Sequence, residues 1–191
     1  AKAGFKVLGF DIQSSKVEMV NRGENYIGDI IPQDLKDLAA NRHLSATTDF
    51  DRLMGCDVVA ICVPTPLDKF KQPDLSYIVN SAKEIAKRIH KDMLIVLEST
   101  TYPGTTEEVV KPILEESGFK VGKDFHLAFS PERVDPGNAR FKTHNTPKVV
   151  GGCTPECTEI AKTLYSIVLG AEVFTVSSPK EAEATKILEN T

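Results

Sequence analysis

Residues Met93 to Thr106, MLIVLESTTYPGTT, decide the fold. Leu94, Ile95, Val96 and Leu97 form an unbroken apolar run, the pattern of a strand covered on both faces of a parallel sheet. It is expected at the centre of the fold. Polar residues follow at once, Ser99, Thr100 and Thr101, and then Pro103 and Gly104 punctuate the entry to a helix beginning near Thr106. Hydroxyls at the carboxyl end of a buried strand point into the crevice where open α/β sheets bind ligands. The same threonines can instead cap the next helix, and the stretch by itself leaves both uses open.

Working outward, the segments on either side alternate strand and helix. Upstream, Asp57 to Val63 (DVVAICV) is expected as another buried strand, stopped by Pro64-Thr65-Pro66, whose prolines hold Thr65 in one place. A rigid loop is the plainer reading of that tripeptide. Leu75 to His90 repeats Ile78, Ala82, Ile85, Ala86 and Ile89 at helical spacing. Downstream come a helix to Ser117 with Val109, Val110, Ile113 and Leu114 inward, and a strand from Phe125 to Phe129. After the Ser130-Pro131-Glu132-Arg133 turn, Lys148 to Val150 reads as a strand, Pro155 to Val168 as a helix and Glu172 to Val176 as a strand. A last helix begins at Pro179. At the other end, Lys6 to Ile12 (KVLGFDI) is a strand, Ser14 to Arg22 a helix with Val17 and Val20 inward, Gln33 to Asn41 a helix and Leu44 to Thr47 a strand. Gly4 reads as the left-handed stop of a helix whose last turn is Ala1 to Ala3. This β-α alternation, free of repeats, predicts an α/β fold with a doubly wound parallel sheet.

Composition limits what such a fold does. The 191 residues are 41% hydrophobic and 26% charged, with no apolar run near the length a membrane span requires and no leader-like opening. A formal charge of -4 argues against bulk binding to nucleic acid or to an anionic membrane, so small-molecule partners are expected. Four cysteines (Cys56, Cys62, Cys153 and Cys157) are too few for a disulfide scaffold, which makes a cytoplasmic protein the default. Cys153 and Cys157 lack companion ligands for zinc, and Cys62, inside an apolar strand, reads as packing.

In a parallel sheet every strand delivers its carboxyl end to one edge, so Asp11, Thr65, Thr100 and Glu132 are expected around one crevice. An acid ending the second strand of a dinucleotide-binding unit accepts hydrogen bonds from the adenosine ribose, with Lys16 close by. Asp11 taken singly is more often a helix cap, a task for which Ser14 and Ser15 compete. Lys186 and Asn190, at i and i+4, share one face of the final helix, which can equally be a solvated surface. No G-x-G-x-x-G precedes the Asp11 strand; the first strand and its glycine-rich loop are expected to be missing.

The motifs VPTP (63 to 66), ESTTYPGTT (98 to 106), FSPERVDPGN (129 to 138) and AEATKILENT (182 to 191) resemble the NAD-dependent nucleotide-sugar 6-dehydrogenases, the UDP-glucose/GDP-mannose dehydrogenase family. The form SPERxDPGN is most similar to members acting on UDP-N-acetylglucosamine or UDP-N-acetylmannosamine. The resemblance implies an NAD-binding domain over residues 1–178 and, over 179–191, the start of a long central helix leading to an absent sugar-binding domain. It implies oxidation of a C6 alcohol to the acid with two NAD, through a cysteine thioester, in an enzyme that is usually a dimer. Carried over by position, Asp11 and Lys16 hold the adenosine half of NAD, and Pro64, Thr65, Ser99 and Thr100 line the cofactor channel. Thr100 also places a water, Glu132 is the acid or base of thioester hydrolysis, and Lys186 and Asn190 stabilise the oxyanion at C6. Glu132, Arg133, Lys186 and Asn190 contact the UDP-sugar.

Two departures accompany the resemblance. Pro136 stands where UDP-glucose members have a second glutamate, with Asp135 beside it, and no cysteine here matches the nucleophile. In the strand order 3-2-1-4-5-6 the missing strand would separate the Asp11 and Asp57 strands by about 9.6 Å, twice the usual spacing. More residues, or another segment, are expected to fill that slot. A β-hydroxyacid dehydrogenase, which transfers one hydride, and a nucleotide-binding module without catalysis are the rival readings.

Overall fold

Clusters of valine, leucine and isoleucine become strands wherever turn residues bound them. The computed structural model describes residues 1–27, 30–67, 69, 72–133 and 145–189, which fall into two compact units, Ala1–Arg52 and Leu53–Thr191.

The first unit contains strand β1 (Val7–Phe10), helices α1 (Ser14–Asn21) and α2 (Pro32–Ala40), and strand β2 (Leu44–Thr47). β1 and β2 pair in parallel, Val7 opposite Leu44 and Phe10 opposite Thr47. Pro32 opens α2 at a position where its missing N–H costs nothing. The Asn21 side-chain amide donates to the Ala46 carbonyl at 2.9 Å and accepts the Ala46 N–H at 2.7 Å. That pair satisfies backbone groups which an open edge would leave free for another strand. Gly4 has φ +91° and its N–H closes a turn on the Ala1 carbonyl, the left-handed stop the sequence suggests.

The second unit carries β3 (Val58–Ile61), α3 (Ser76–Ala86), β4 (Leu94–Leu97), a π-helical turn (Thr105–Val110) and α4 (Lys111–Glu115). It continues with β5 (His126–Phe129), β6 (Lys148–Gly152), α5 (Pro155–Val168), β7 (Val173–Thr175) and α6 (Pro179–Glu189). The five strands lie in the order β3-β4-β5-β6-β7. β3, β4 and β5 run parallel, with Val58, Leu94 and His126 in register. No residue of β4 is more than 3% exposed, and each side chain contributes about 1.5–3 kcal/mol of burial. Alternation along the strands sends Leu94, Val96, Ala128 and Val150 to one face, where they pack on Ala161 and Tyr165 of α5. The opposite face of β6 meets the start of α6, since a Cβ on Gly151 would lie 2.1 Å from the Ser178 carbonyl oxygen.

Several expectations need correction. Among the described residues the strands form two sheets and no ladder joins β1–β2 to the other five, so no described strand pairs with both in place of the missing one. β6 runs antiparallel to β5, so the larger sheet is parallel only over β3, β4 and β5 and between β6 and β7. β3 is half exposed rather than buried, because it is the outermost strand of its sheet. Cys62 falls outside that strand and is exposed, so it is not core packing. The helix expected from Thr106 starts at Thr105 as a π-helical turn and becomes α-helical only over Lys111–Glu115. Pro112 offers no N–H to the Glu108 carbonyl, and the winding before it is wide.

Because backbone atoms occupy the space beside Gly151, Gly151→Ala is expected to cost about 1–3 kcal/mol or more. Gly9→Ala, whose Cβ would come no closer than 3.7 Å to its neighbours, should stay within about 0.5 kcal/mol. Urea unfolding of both variants measures the contrast, and equal midpoints would contradict the packing described.

Candidate active site at the carboxyl edge of the five-stranded sheet

Parallel register brings the carboxyl ends of β3, β4 and β5 to one edge, so Thr65, Thr100 and Glu132 emerge there together. Asp11 ends β1 in the other unit. Beyond Ile61 the prolines at 64 and 66 cannot donate to a ladder, and side-chain hydroxyls replace it. Ser99 Oγ donates to the Val63 carbonyl at 2.8 Å and lies 3.2 Å from that of Ile61, while Thr65 Oγ1 donates to the Thr100 carbonyl at 2.7 Å. These two hydroxyls therefore tie neighbouring strand ends together instead of pointing into the crevice. Pro64 and Thr100 are exposed beside them, whereas Ser99 is buried. Thr101 hydrogen-bonds the Thr105 hydroxyl at 2.6 Å, and the helical turn that follows Gly104 has no side-chain cap, so the threonines do not serve as its N-cap.

In the first unit, Asp11 Oδ1 accepts the Gln13 N–H at 2.8 Å and so shapes the entry to α1, whose cap receives no side-chain bond from Ser14 or Ser15. Its Oδ2 is 3.9 Å from Lys16 Nζ, with both side chains more than a third exposed. One carboxylate oxygen is thus used structurally, while the other can still accept a ribose hydroxyl.

α6 is anchored by Glu183, a residue sequence reading passed over. Its fully buried carboxylate accepts the Gly104 N–H, the Thr106 N–H at 2.8 Å and the Thr106 hydroxyl at 2.6 Å. Negative charge at a helix start is favourable, yet burial outweighs the three donors and pushes the Glu183 carboxyl above its ordinary range. Lys186 follows three residues later, half-buried. Asn190, and the Asp135 and Pro136 positions of the departure noted above, lie outside the described residues.

Glu98, Lys148 and Tyr165 are further polar residues that the sequence did not single out. Even-numbered residues of β4 face α5, and Glu98, the next even position, lands against Tyr165. The antiparallel return of β6 starts that strand at the edge where β4 and β5 end, so Lys148 arrives at the same place. Lys148 Nζ is 3.3 Å from Glu98 Oε2, 4.0 Å from Glu132 Oε2 and 5.0 Å from the Tyr165 ring centre. The Tyr165 hydroxyl donates to Glu98 Oε1. Burial first, and the Glu98 charge second, raise the Tyr165 pKa well above 10. Together with Arg133, whose guanidinium donates to the Pro147 carbonyl at 2.8 Å, these groups line a cleft of about 150 Å³. A lysine heading the otherwise apolar KVVGG strand was the available signal for this cluster; the direction of that strand had none.

The family model for the UDP-glucose/GDP-mannose dehydrogenase family, NAD binding domain, matches residues 1–169. The chain belongs to this family. It is 38% identical over 186 residues to the UDP-N-acetyl-D-glucosamine 6-dehydrogenase of Pseudomonas aeruginosa, covering 97% of this chain and 43% of that protein. It is 40% identical to protein CapL of Staphylococcus aureus, with the same coverage of each. The structure of an NDP-N-acetyl-D-galactosaminuronic acid dehydrogenase from Methanosarcina mazei Go1 superposes with a TM-score of 0.89 at 37% identity, over 97% of this chain and 41% of that one. The chain therefore spans less than half the length of these relatives. Among the described residues no helix is long and apolar enough to cross a membrane. Each unit taken by itself fits a part of NAD: in the first, Asp11 keeps a carboxylate oxygen for ribose hydroxyls, and in the second, the clamped loop at Pro64 and Thr65 offers a rigid surface.

The Tyr165 environment can be tested without turnover. Of the four tyrosines, one should ionise late in an alkaline absorbance titration, well above the usual phenol value of about 10. Tyr165→Phe should abolish that late step, and its persistence would place the perturbed phenol elsewhere.

Proposed function

We propose that this chain is the cofactor-binding half of a dehydrogenase that oxidises the C6 alcohol of a UDP-N-acetylhexosamine to the carboxylate, consuming two NAD per sugar. The observation that carries this reading is the Glu132 carboxylate, 49% exposed and 4.0 Å from a lysine whose side chain is 9% exposed, at the edge where Thr100 emerges. The names of the relatives and the SPERVDPGN motif support an N-acetylated sugar. When bound, NAD accepts the hydride that leaves C6.

The residues of this chain do the rest. Asp11 and Lys16 bind the adenosine half, and Pro64, Thr65 and Thr100 wall the channel, with Ser99 buried behind them and holding the Val63 carbonyl. Thr100 orients a water and Glu132 takes its proton as it attacks the thioester. Lys186 and Asn190 donate to the oxyanion at C6, and Arg133 contacts the substrate. The cysteine bearing the thioester belongs to another part of the complete enzyme. Within this chain Cys157 is buried and burial pushes the Cys153 thiol up to about 12, which keeps it protonated and weakly nucleophilic. Residues 1–178 form the cofactor domain and 179–191 open the central helix of a cytoplasmic homodimer.

The complete polypeptide should release two NADH per sugar with UDP-N-acetylglucosamine or UDP-N-acetylmannosamine in a steady-state assay across UDP-sugars. One NADH per substrate would favour β-hydroxyacid chemistry, and NAD binding without turnover a non-catalytic module. Lys186→Ala should lower turnover more than about tenfold, as loss of an oxyanion donor does, while NAD affinity hardly moves. A normal rate would remove Lys186 from the mechanism.

A further inference from the structure

Lys148 has no role in the reading above, yet its position is costly. A buried ammonium is tolerated only when its charge and its donors are satisfied. Lys148 has a side chain 9% exposed, with its charge between two carboxylates and over an aromatic ring. One carboxylate would suffice to neutralise it. Glu98 is that one: its Oε2 is 3.3 Å from Nζ, and its Oε1 takes the Tyr165 hydroxyl. An ammonium has three donors, and after Glu98 has taken one the others remain to face the second carboxylate.

The backbone makes this arrangement specific. β5 and β6 pair Ala128 with Gly152 and Phe129 with Gly151. Extending that register by the same rule sets position 132 across from position 148, and Glu132 Oε2 is found 4.0 Å from Lys148 Nζ. Ser130 Oγ donates to the Val149 carbonyl at 2.8 Å, which continues the attachment of the two segments beyond the ladder.

We propose that Lys148, clamped by Glu98 and Tyr165, is a positioning residue that holds the Glu132 carboxylate at the orientation in which it acts on water. This rests on the assignment of Glu132 given under the proposed function. Lys148 touches neither the reacting carbon nor the cofactor in this scheme; it acts through Glu132. Glu98 and Tyr165 serve to fix the ammonium rather than to react.

The test is a double-mutant cycle in the complete polypeptide, read as kcat and KM for UDP-N-acetylglucosamine and UDP-N-acetylmannosamine. Lys148→Met should lower kcat about tenfold or more with KM within twofold, and Lys148→Arg should recover most of the loss. In a Glu132→Gln background, Lys148→Met should cause almost no further loss, because a residue acting through Glu132 has nothing left to position. Should Lys148→Met fail to fold, Glu98→Gln, which releases the ammonium from its anchor, should show the same loss in kcat and the same absorption by Glu132→Gln. Losses that multiply in full in the double variants, or that appear only in KM, would overturn the inference. A wild-type enzyme inert toward every UDP-sugar would sink the proposed function and this inference together, whereas an active wild type with multiplying losses would sink the inference alone.

Discussion

β4 is covered on both faces, and the polar chemistry of the second unit is organised by where that cover ends. Leu94 to Leu97 lose nearly all contact with water. A strand so enclosed can carry no charge along its length, so its first ionisable group, Glu98, appears where the sheet stops. The edge then becomes a place where polar side chains must find partners inside the protein. Ser99 finds the Val63 carbonyl, Thr65 finds that of Thr100, and Glu98 finds Tyr165 and Lys148.

The contacts between the ends of β3 and β4 have one cause in common. Prolines at 64 and 66 end the β3 ladder early, and the carbonyls this frees accept hydroxyls from the neighbouring strand end. The result is a rim whose shape is held by side-chain bonds, with Thr100 exposed on it and Glu132 half-exposed beside Lys148. Glu183 fixes the rim from the far side of the next turn, tying α6 to the amides at Gly104 and Thr106. Through that bond the helix bearing Lys186 is attached to the loop that follows Thr100.

Much of this was legible in the residues. The apolar run at 94 to 97, the helical spacing from Ile78 to Ile89 and the helix from Pro155 to Val168 were local patterns, and local patterns survive folding when the core agrees with them. Cys62 was misread because an apolar run cannot reveal where its strand ends or whether that strand is central or outermost. Ser99 and Thr65 were expected to face a ligand, but a hydroxyl near a strand end serves ligand and neighbouring carbonyl equally well. Glu98, Lys148, Tyr165 and Glu183 stood far apart in the chain, in segments that each had an ordinary reading as strand end, strand start or helix surface.

The amino-acid order alone determined the α/β class, the succession of elements, the family and the residues that bear its motifs, since all of these rest on spacing and residue type within short windows. Tertiary structure decided what depends on direction and partnership. The reversal of β6 sends Lys148 to the edge where Glu132 emerges, and the strand pairing divides the strands into two sheets. The physical reason is that side-chain periodicity is the same for a strand running either way, so only the backbone ladder and the helices packed on it settle which end of β6 meets the site.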